Sequence, residues 1–357
     1  MSVDLQMVSE LMNKEQKNGT FPGAVLAITD EKKLIYQQAF GFAQIEPQKR
    51  VMNKDTIFDL ASLTKVVATT ISVMHLIEYG KINLWDYLKE YFPNIPEEKE
   101  ELTIYHLLTH TSGYQAIVRL WDKDMNYEQK IEYILNLPLE ANIGKRVEYS
   151  DPNFILLGDL VKRVSGKNLN HYFSEYISEK LNMGKTCFNP LQNLSDSKNN
   201  FAATEYCDWR ERYMIGEVHD ENAFSLGGIS GHAGLFSTSS DLVNFVQMIL
   251  NKGTYQGKNV LSSSTIMTMT SCWTENFEQK RGLGWDLIKN YRSSGGVLFS
   301  GKAFGHTGFT GTSIWIDPVK KLGVILLSNR VHPSRDNVQI ISLRPRLHNL
   351  IVNVLER

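Results

Sequence analysis

Three groups spread along most of the chain have the types and spacings that acyl-transfer chemistry needs. In Phe58-Asp59-Leu60-Ala61-Ser62-Leu63-Thr64-Lys65-Val66-Val67-Ala68, a serine precedes a lysine by three residues where a loop runs into a helix. Positions i and i+3 of an α-helix share a face, so the amine stands beside the hydroxyl. The first turn also aims free backbone N–H groups and the positive end of the dipole at that oxygen. A hydroxyl becomes a nucleophile when a base takes its proton and a positive field steadies the developing charge. Alone, S-x-x-K is a common chance match, and a serine at a helix start is usually an N-cap. The reading therefore needs partners elsewhere.

Two stretches offer them. Val147-Glu148-Tyr149-Ser150-Asp151-Pro152 sits on a loop just before a long helical pattern. A phenol beside an ammonium can relay protons, although most tyrosines at such junctions only pack. Gly305-His306-Thr307-Gly308-Phe309-Thr310-Gly311 leads into a hairpin. Its glycines let a substrate approach a strand edge and leave backbone N–H groups free.

In this order the three stretches resemble the motifs of the serine β-lactamase and penicillin-binding protein superfamily: S-x-x-K, then Y-x-N or its equivalent, then K-T-G or H-x-G on a strand. The likeness extends to Thr103–Gly113 (TIYHLLTHTSG), Tyr149–Gly158 (YSDPNFILLG) and Gly227–Thr238 (GGISGHAGLFST), and so covers nearly the whole chain. It is similar to the class C branch, which holds β-lactamases, esterases, D-stereospecific peptidases and cell-wall hydrolases. Gly216-Glu217-Val218-His219-Asp220-Glu221-Asn222-Ala223 further resembles a cell-wall-recycling group that includes an N-acetylmuramoyl-L-alanine amidase. The resemblance implies Ser62 as the acylated nucleophile, Lys65 as its proton acceptor or electrostatic partner, and Tyr149 as the proton relay. It implies an oxyanion hole from the backbone N–H groups of Ser62 and Phe309, with substrate contacts from Asp151, His306, Thr307 and Gly308.

Two positions depart from the pattern. Asp151 stands where many relatives have asparagine, and a carboxylate near Lys65 favours the charged amine, throwing more work onto Tyr149. His306 replaces the permanent cation of K-T-G with a group charged only part of the time near neutrality. The expectation is a site less committed to penicillin-like acids.

These groups need a scaffold. Residues 2–18 have the apolar spacing of an amphipathic helix, broken by Pro22-Gly23. Residues 24–29 and 34–40 read as two strands joined by the charged turn Asp30–Lys33, and residues 312–328 as a second hairpin. The serine helix is expected to run to Tyr79-Gly80. Helical patterns dominate residues 84–250, including 103–108, 154–164 and 239–250, with an exposed loop at 191–200 and a terminal helix at 337–355. The expected fold is therefore α+β and β-lactamase/transpeptidase-like: one antiparallel sheet made from both termini, flanked by helices, with a mostly helical insertion. The sheet domain takes 1–60 and 255–357, the helical domain 61–254, and the site lies in the cleft between them.

Composition bounds the rest. The 357 residues suit one large domain or two intimate ones, with 42% hydrophobic and 22% charged residues. A formal charge of −1 with no basic block argues against a nucleic-acid or anionic-membrane surface. Cys187, Cys207 and Cys272 suggest neither a disulfide framework nor a zinc site. No apolar run has membrane-spanning length and no secretory signal is visible, so the expectation is cytoplasmic. His106 and His110 lie four apart but lack the glutamate and third ligand of a zinc motif. His232 and the His219-Asp220 pair read as loop-packing groups, and most of Trp121, Trp209, Trp273 and Trp285 as core. The expected function is a serine hydrolase that needs no cofactor or metal. It would act through an acyl-enzyme on an amide or ester, preferably a muropeptide or a D-amino-acid peptide, with β-lactams as further acyl donors. An esterase or acyltransferase with the same machinery is the first alternative, and a non-catalytic penicillin-binding-like assembly protein the second.

Overall fold

The structure is a computed structural model that describes residues 5–289 and 293–357. Seven strands form one antiparallel sheet in the order Asp286–Leu287, Phe304–Thr307, Ser313–Asp317, Leu322–Ser328, Gly23–Thr29, Leu34–Gln44 and Arg50–Val51. Both expected hairpins are present. Asp30 closes the first, its Oδ1 accepting from the N–H groups of Lys32 at 2.6 Å and Lys33 at 2.7 Å. The two ends of the chain meet at the centre, with Ala24 opposite Ser328 and Thr29 opposite Gly323.

Side chains alternate across a strand, so a sheet covered on both faces reads as an unbroken apolar run. In Gly23–Thr29, Ala24, Leu26 and Ile28 join a core with Val8, Met12, Leu343 and Leu347 of the two terminal helices. Val25 and Ala27 face the other way, into a larger core shared with the helical part of the chain. The terminal helices span Gln6–Lys17 and Ile340–Leu355. Residues 2–4 of the first expectation lie outside the described residues.

The centre of the helical part is Asp151–Ser165, buried from Pro152 to Val161. Against it lies the Gly227–Gly234 loop. A Cβ at Gly231 would fall 1.9 Å from the Phe154 carbonyl oxygen, so this approach requires glycine. Ser239–Leu250 forms the expected helix and packs on the sheet, Val246 lying against Gly323.

The middle of the chain is less purely helical than its pattern suggests. Phe58–Asp59, Leu235–Ser237 and Cys187–Phe188 make a small separate sheet, and Ala203–Cys207 pairs with Arg212–Ile215. Strands this short offer too few positions for an alternating pattern to register. The terminal helix starts three residues later than its periodicity suggests, and Pro345 lies inside it, where a missing N–H removes one backbone bond. Among the described residues no helix is long and apolar enough to cross a membrane.

Candidate active site

Ser62 does not open a simple α-helix. Ala61–Leu63 form a 3₁₀ turn, Lys65–Thr70 follow in wide π-type turns, and regular α-helix begins only at Ile71. Thr69 Oγ1 donates to the Gly231 carbonyl at 2.6 Å, one of the contacts that hold this segment against the glycine loop. Ala61 has φ 46°, a left-handed conformation costing a non-glycine residue roughly 1–2 kcal/mol. Asp59 fastens the turn: its Oδ1 accepts from Ala61 N at 2.8 Å and its Oδ2 from His219 N at 2.6 Å. Burial nevertheless raises the Asp59 pKa above the ordinary carboxylate value.

Lys65 is fully buried, and its ammonium donates to three acceptors: Ser62 Oγ at 3.0 Å, Asp151 Oδ1 at 2.7 Å and the His232 carbonyl at 3.0 Å. Burial alone would lower its pKa, but Asp151, reinforced by Tyr149, reverses this and the value lies above that of an ordinary lysine. The carboxylate thus holds the amine charged, as the sequence implied. Asp151 sits in the first turn of Asp151–Ser165, fixed by its N–H to the Ala116 carbonyl at 2.9 Å.

The Tyr149 ring lies between two imidazoles, with centroids 4.7 Å from His110 and 5.7 Å from His306. Lys65 Nζ stands 4.9 Å from its centroid and the Arg281 guanidinium 5.6 Å. The strand loop closes over the other side of Ser62. Thr310 Oγ1 donates to the Asp59 carbonyl at 2.8 Å and Thr312 Oγ1 to the Leu60 carbonyl at 3.0 Å. A Cβ at Gly308 would meet the Leu60 carbonyl oxygen at 2.4 Å, so only glycine brings Phe309 this near the serine turn. Arg330 Nε holds the Phe309 carbonyl at 2.8 Å. Ser62, Tyr149, His306, Thr307, Gly308 and Phe309 line one cleft of about 360 Å³, with Lys65 hydrogen-bonded behind Ser62 and Asp151 behind Lys65. All eight residues singled out in the sequence are thus gathered around one opening.

Residues 7–344 match the beta-lactamase family. The chain belongs to that family. It is 32% identical over 364 residues to the N-acetylmuramyl-L-alanine amidase of Bacillus subtilis (strain 168), covering 92% of this chain and 81% of that protein. Among solved structures it is similar to the octameric penicillin-binding protein homologue from Pyrococcus abyssi. There the TM-score is 0.75 at 24% identity, with 95% of this chain and 76% of that one covered. A class C beta-lactamase superposes with a TM-score of 0.77 at 19% identity, over 97% and 95% of the two chains. The fold is β-lactamase/transpeptidase-like, and the chain is a serine hydrolase of the β-lactamase-related family.

In this β-lactamase-family cleft the strand wall differs from what its sequence suggests. His306 is not partly charged. Burial first, then the cations Arg281, Lys65 and Arg344, hold its pKa well below the ordinary value, overcoming its bond to the Thr307 carbonyl. Its neutral Nδ1–H donates to that carbonyl at 2.9 Å, leaving Nε2 as an acceptor. The loss of lysine from K-T-G does not leave the cleft without cations, because Arg281, Arg330 and Arg344 line it as well.

The remaining histidines have structural partners. Thr103 and His106 cap one helix together. His110, with φ 58°, accepts from Ser150 N at 3.0 Å and so braces the Tyr149 loop. His219 pairs with Glu205 at 2.8 Å rather than with its neighbour Asp220. Asp220 instead meets His232 Nε2 at 2.9 Å, and His232 Nδ1 meets Ser230 Oγ at 2.8 Å, fixing the carbonyl that receives Lys65. His232 touches the site through its main chain. Trp285 is core, whereas Trp121 and Trp209 pair at 5.3 Å and Trp209 is exposed. Asp59, Thr310, Thr312, Arg281 and Arg344 were not singled out by sequence. The side chains of Asp59, Thr310 and Thr312 act by bonding main-chain atoms, which no motif pattern specifies, and the two arginines lie outside the motif stretches; the Thr310-Gly311-Thr312 turn is the one signal that stood in plain view.

Proposed function

We propose that this cleft hydrolyses an amide through an acyl-enzyme on Ser62. The observation that carries the reading is the saturated Lys65 ammonium. Its three hydrogens are all donated, one of them to Ser62 Oγ, so it orients the nucleophile and steadies charge but cannot take the proton. The proton goes instead to the phenolate oxygen of Tyr149, and the phenol so formed returns it to the leaving nitrogen when the tetrahedral intermediate collapses. The N–H groups of Ser62 and Phe309 receive the oxyanion. Among the described residues the Phe309 N–H has no protein acceptor, which supports that role. In the second half-reaction the regenerated Tyr149 phenolate takes a proton from water as that water attacks the acyl carbon, and the phenol passes the proton to Ser62 Oγ as the acyl bond breaks. These steps use only groups of the chain.

The substrate this reading favours is a peptidoglycan-derived muropeptide or a D-amino-acid-containing peptide. The similarity to the Bacillus subtilis N-acetylmuramyl-L-alanine amidase over most of both chains supports the choice. Intact-mass measurement after a fluorophosphonate should find one adduct on Ser62, absent in Ser62→Ala, and Ser62→Ala should not release peptide from a muramyl peptide. No adduct with any reactive acyl donor would favour a binding protein, and faster turnover of a short aryl ester than of the muramyl peptide would favour an esterase.

A further inference from the structure

The Gly216–Ala223 stretch takes no part in the chemistry above, yet its His219 joins two segments that are far apart in the chain. His219 is 4% exposed. Its N–H donates to Asp59 Oδ2 at 2.6 Å, and Asp59 Oδ1 in turn holds the N–H of Ala61, the residue before Ser62. Its ring stacks on that of Phe309, with centroids 5.6 Å apart and planes 26° from parallel. His219 is thus tied through Asp59 to the serine turn and packed on the residue that offers the second oxyanion donor.

The imidazole has little freedom. Its Nε2 meets Glu205 Oε1 at 2.8 Å, and Glu205 Oε2 accepts from Arg335 N at 3.0 Å. Burial opposes the charge on Glu205, but His219 and Arg335 outweigh it and hold the pKa down at about 2. The His219 carbonyl accepts from Arg210 Nη2 at 2.7 Å. Phe309 is the looser partner. Its ring lines the cleft and is 48% exposed, so its burial adds little to the core. The guanidiniums of Arg330 and Arg335 stand 4.6 Å and 5.8 Å from its centroid. A half-exposed ring gripped by an imidazole and two cations fixes a loop rather than filling a core.

Two N–H donors on separate segments steady an oxyanion only if their spacing is set before the reaction. We propose that His219, held by Glu205, is a positioning residue that sets the separation of the Ser62 and Phe309 N–H groups. The inference rests on the acyl-enzyme reading above and gives the Gly216–Ala223 stretch its part in that site. Its effect falls on kcat rather than KM, because the carbonyl oxygen gains its charge only in the transition state.

The test compares a short aryl ester with its thiono analogue, in which sulfur replaces the carbonyl oxygen. Sulfur is larger and accepts hydrogen bonds more weakly, so a hole spaced for oxygen rejects it. The quantity read is the oxygen-to-sulfur ratio of kcat/KM within each variant, divided by the same ratio for hydroxide ion, so a loss of folded enzyme cancels. Wild type should favour oxygen by about 100-fold. His219→Ala, and Phe309→Ala, which alters only a half-exposed ring, should each cut that preference about tenfold with KM for the ester little changed, and the double variant should lose no more than either. His219→Phe keeps both a ring and the N–H to Asp59 and should recover most of the preference. A preference retained in both single variants, losses that add in the double variant, or a loss confined to KM overturns the proposal. Phosphonylation of Ser62 by a neutral fluorophosphonate is followed in parallel in the wild type. An adduct together with a wild-type preference no greater than that of hydroxide would overturn the positioning role and leave the acyl-enzyme reading standing, whereas no adduct would remove both.

Discussion

On the lysine wall of the cleft three hydrogens of Lys65 meet three acceptors, whereas on the strand wall Arg281 and Arg344 each keep a buried Nε without one among the described residues. Both walls are buried and cationic, so burial and charge do not distinguish them. The difference lies in satisfaction. The first wall is complete before substrate arrives, which suits groups that must be preorganised for the transition state. The second keeps guanidinium charge without a carboxylate partner within ion-pair distance among the described residues for Arg281 and Arg344, which suits recognition rather than preorganised catalysis. The comparison also reassigns the departures from the family motifs. Asp151 makes the lysine wall self-sufficient, and His306 gives up the charge that the arginines supply.

The largest effect should come from breaking the complete wall. Lys65→Ala removes the group that orients Ser62, and kcat/KM is expected to fall about 10³-fold or more. A variant within tenfold of wild type would show that the wall is structural. Asp151→Asn attacks the same wall from the other side. It leaves a fully buried ammonium without its carboxylate, so unfolding free energy in urea at neutral pH should drop by about 3 kcal/mol. The sign of the pH effect follows from the raised Lys65 pKa. The pair contributes its stability at neutral pH, below the lysine's unfolded value, and loses it as pH rises through the higher folded value, so on the basic side wild type and Asp151→Asn should converge in strong alkali.

The loop proposed to supply the Phe309 oxyanion donor should give a smaller loss. Thr310→Val with Thr312→Val cuts the two hydroxyl ties to the Asp59 and Leu60 carbonyls without touching a group that meets substrate. Loosening one donor of the pair should cost about 10- to 100-fold in kcat with little change in KM. Equal loss in KM would mean that the loop binds substrate rather than steadying charge.

Much of the lysine wall was legible in the chain because its information is local. Ser62 and Lys65 share a helical face by spacing alone, and the carboxylate beside Tyr149 announces its effect on the lysine. The strand wall was half hidden. Arg281 comes from a loop and Arg344 from the terminal helix, and only the sheet order that sets Asp286–Leu287 beside Phe304–Thr307 brings the loop to His306. Nothing near either arginine in sequence announces a site. The π-type turns after Ser62, the left-handed Ala61 and the short strand Phe58–Asp59 were invisible for another reason: tertiary bonds from Asp59 and Thr69 overrule local preference there.

The smallest effect tests whether the positive charge of the strand wall resides in its guanidiniums. His306 and the nearby His110 are both held neutral, with folded pKa values well below the ordinary 6.5. Unfolding exposes them to water, so below about pH 6.5 the unfolded chain binds more protons than the folded one. Their contribution is present above the unfolded value and fades as pH falls toward the folded one, by at most about 1.4 kcal/mol per pH unit for each group. His306→Asn should therefore flatten the acid side of the stability curve, read as urea midpoints between about pH 7 and about pH 5. An acid limb as steep in His306→Asn as in wild type would mean that the imidazole takes up its proton in the folded protein and shares the positive charge of the strand wall with the guanidiniums.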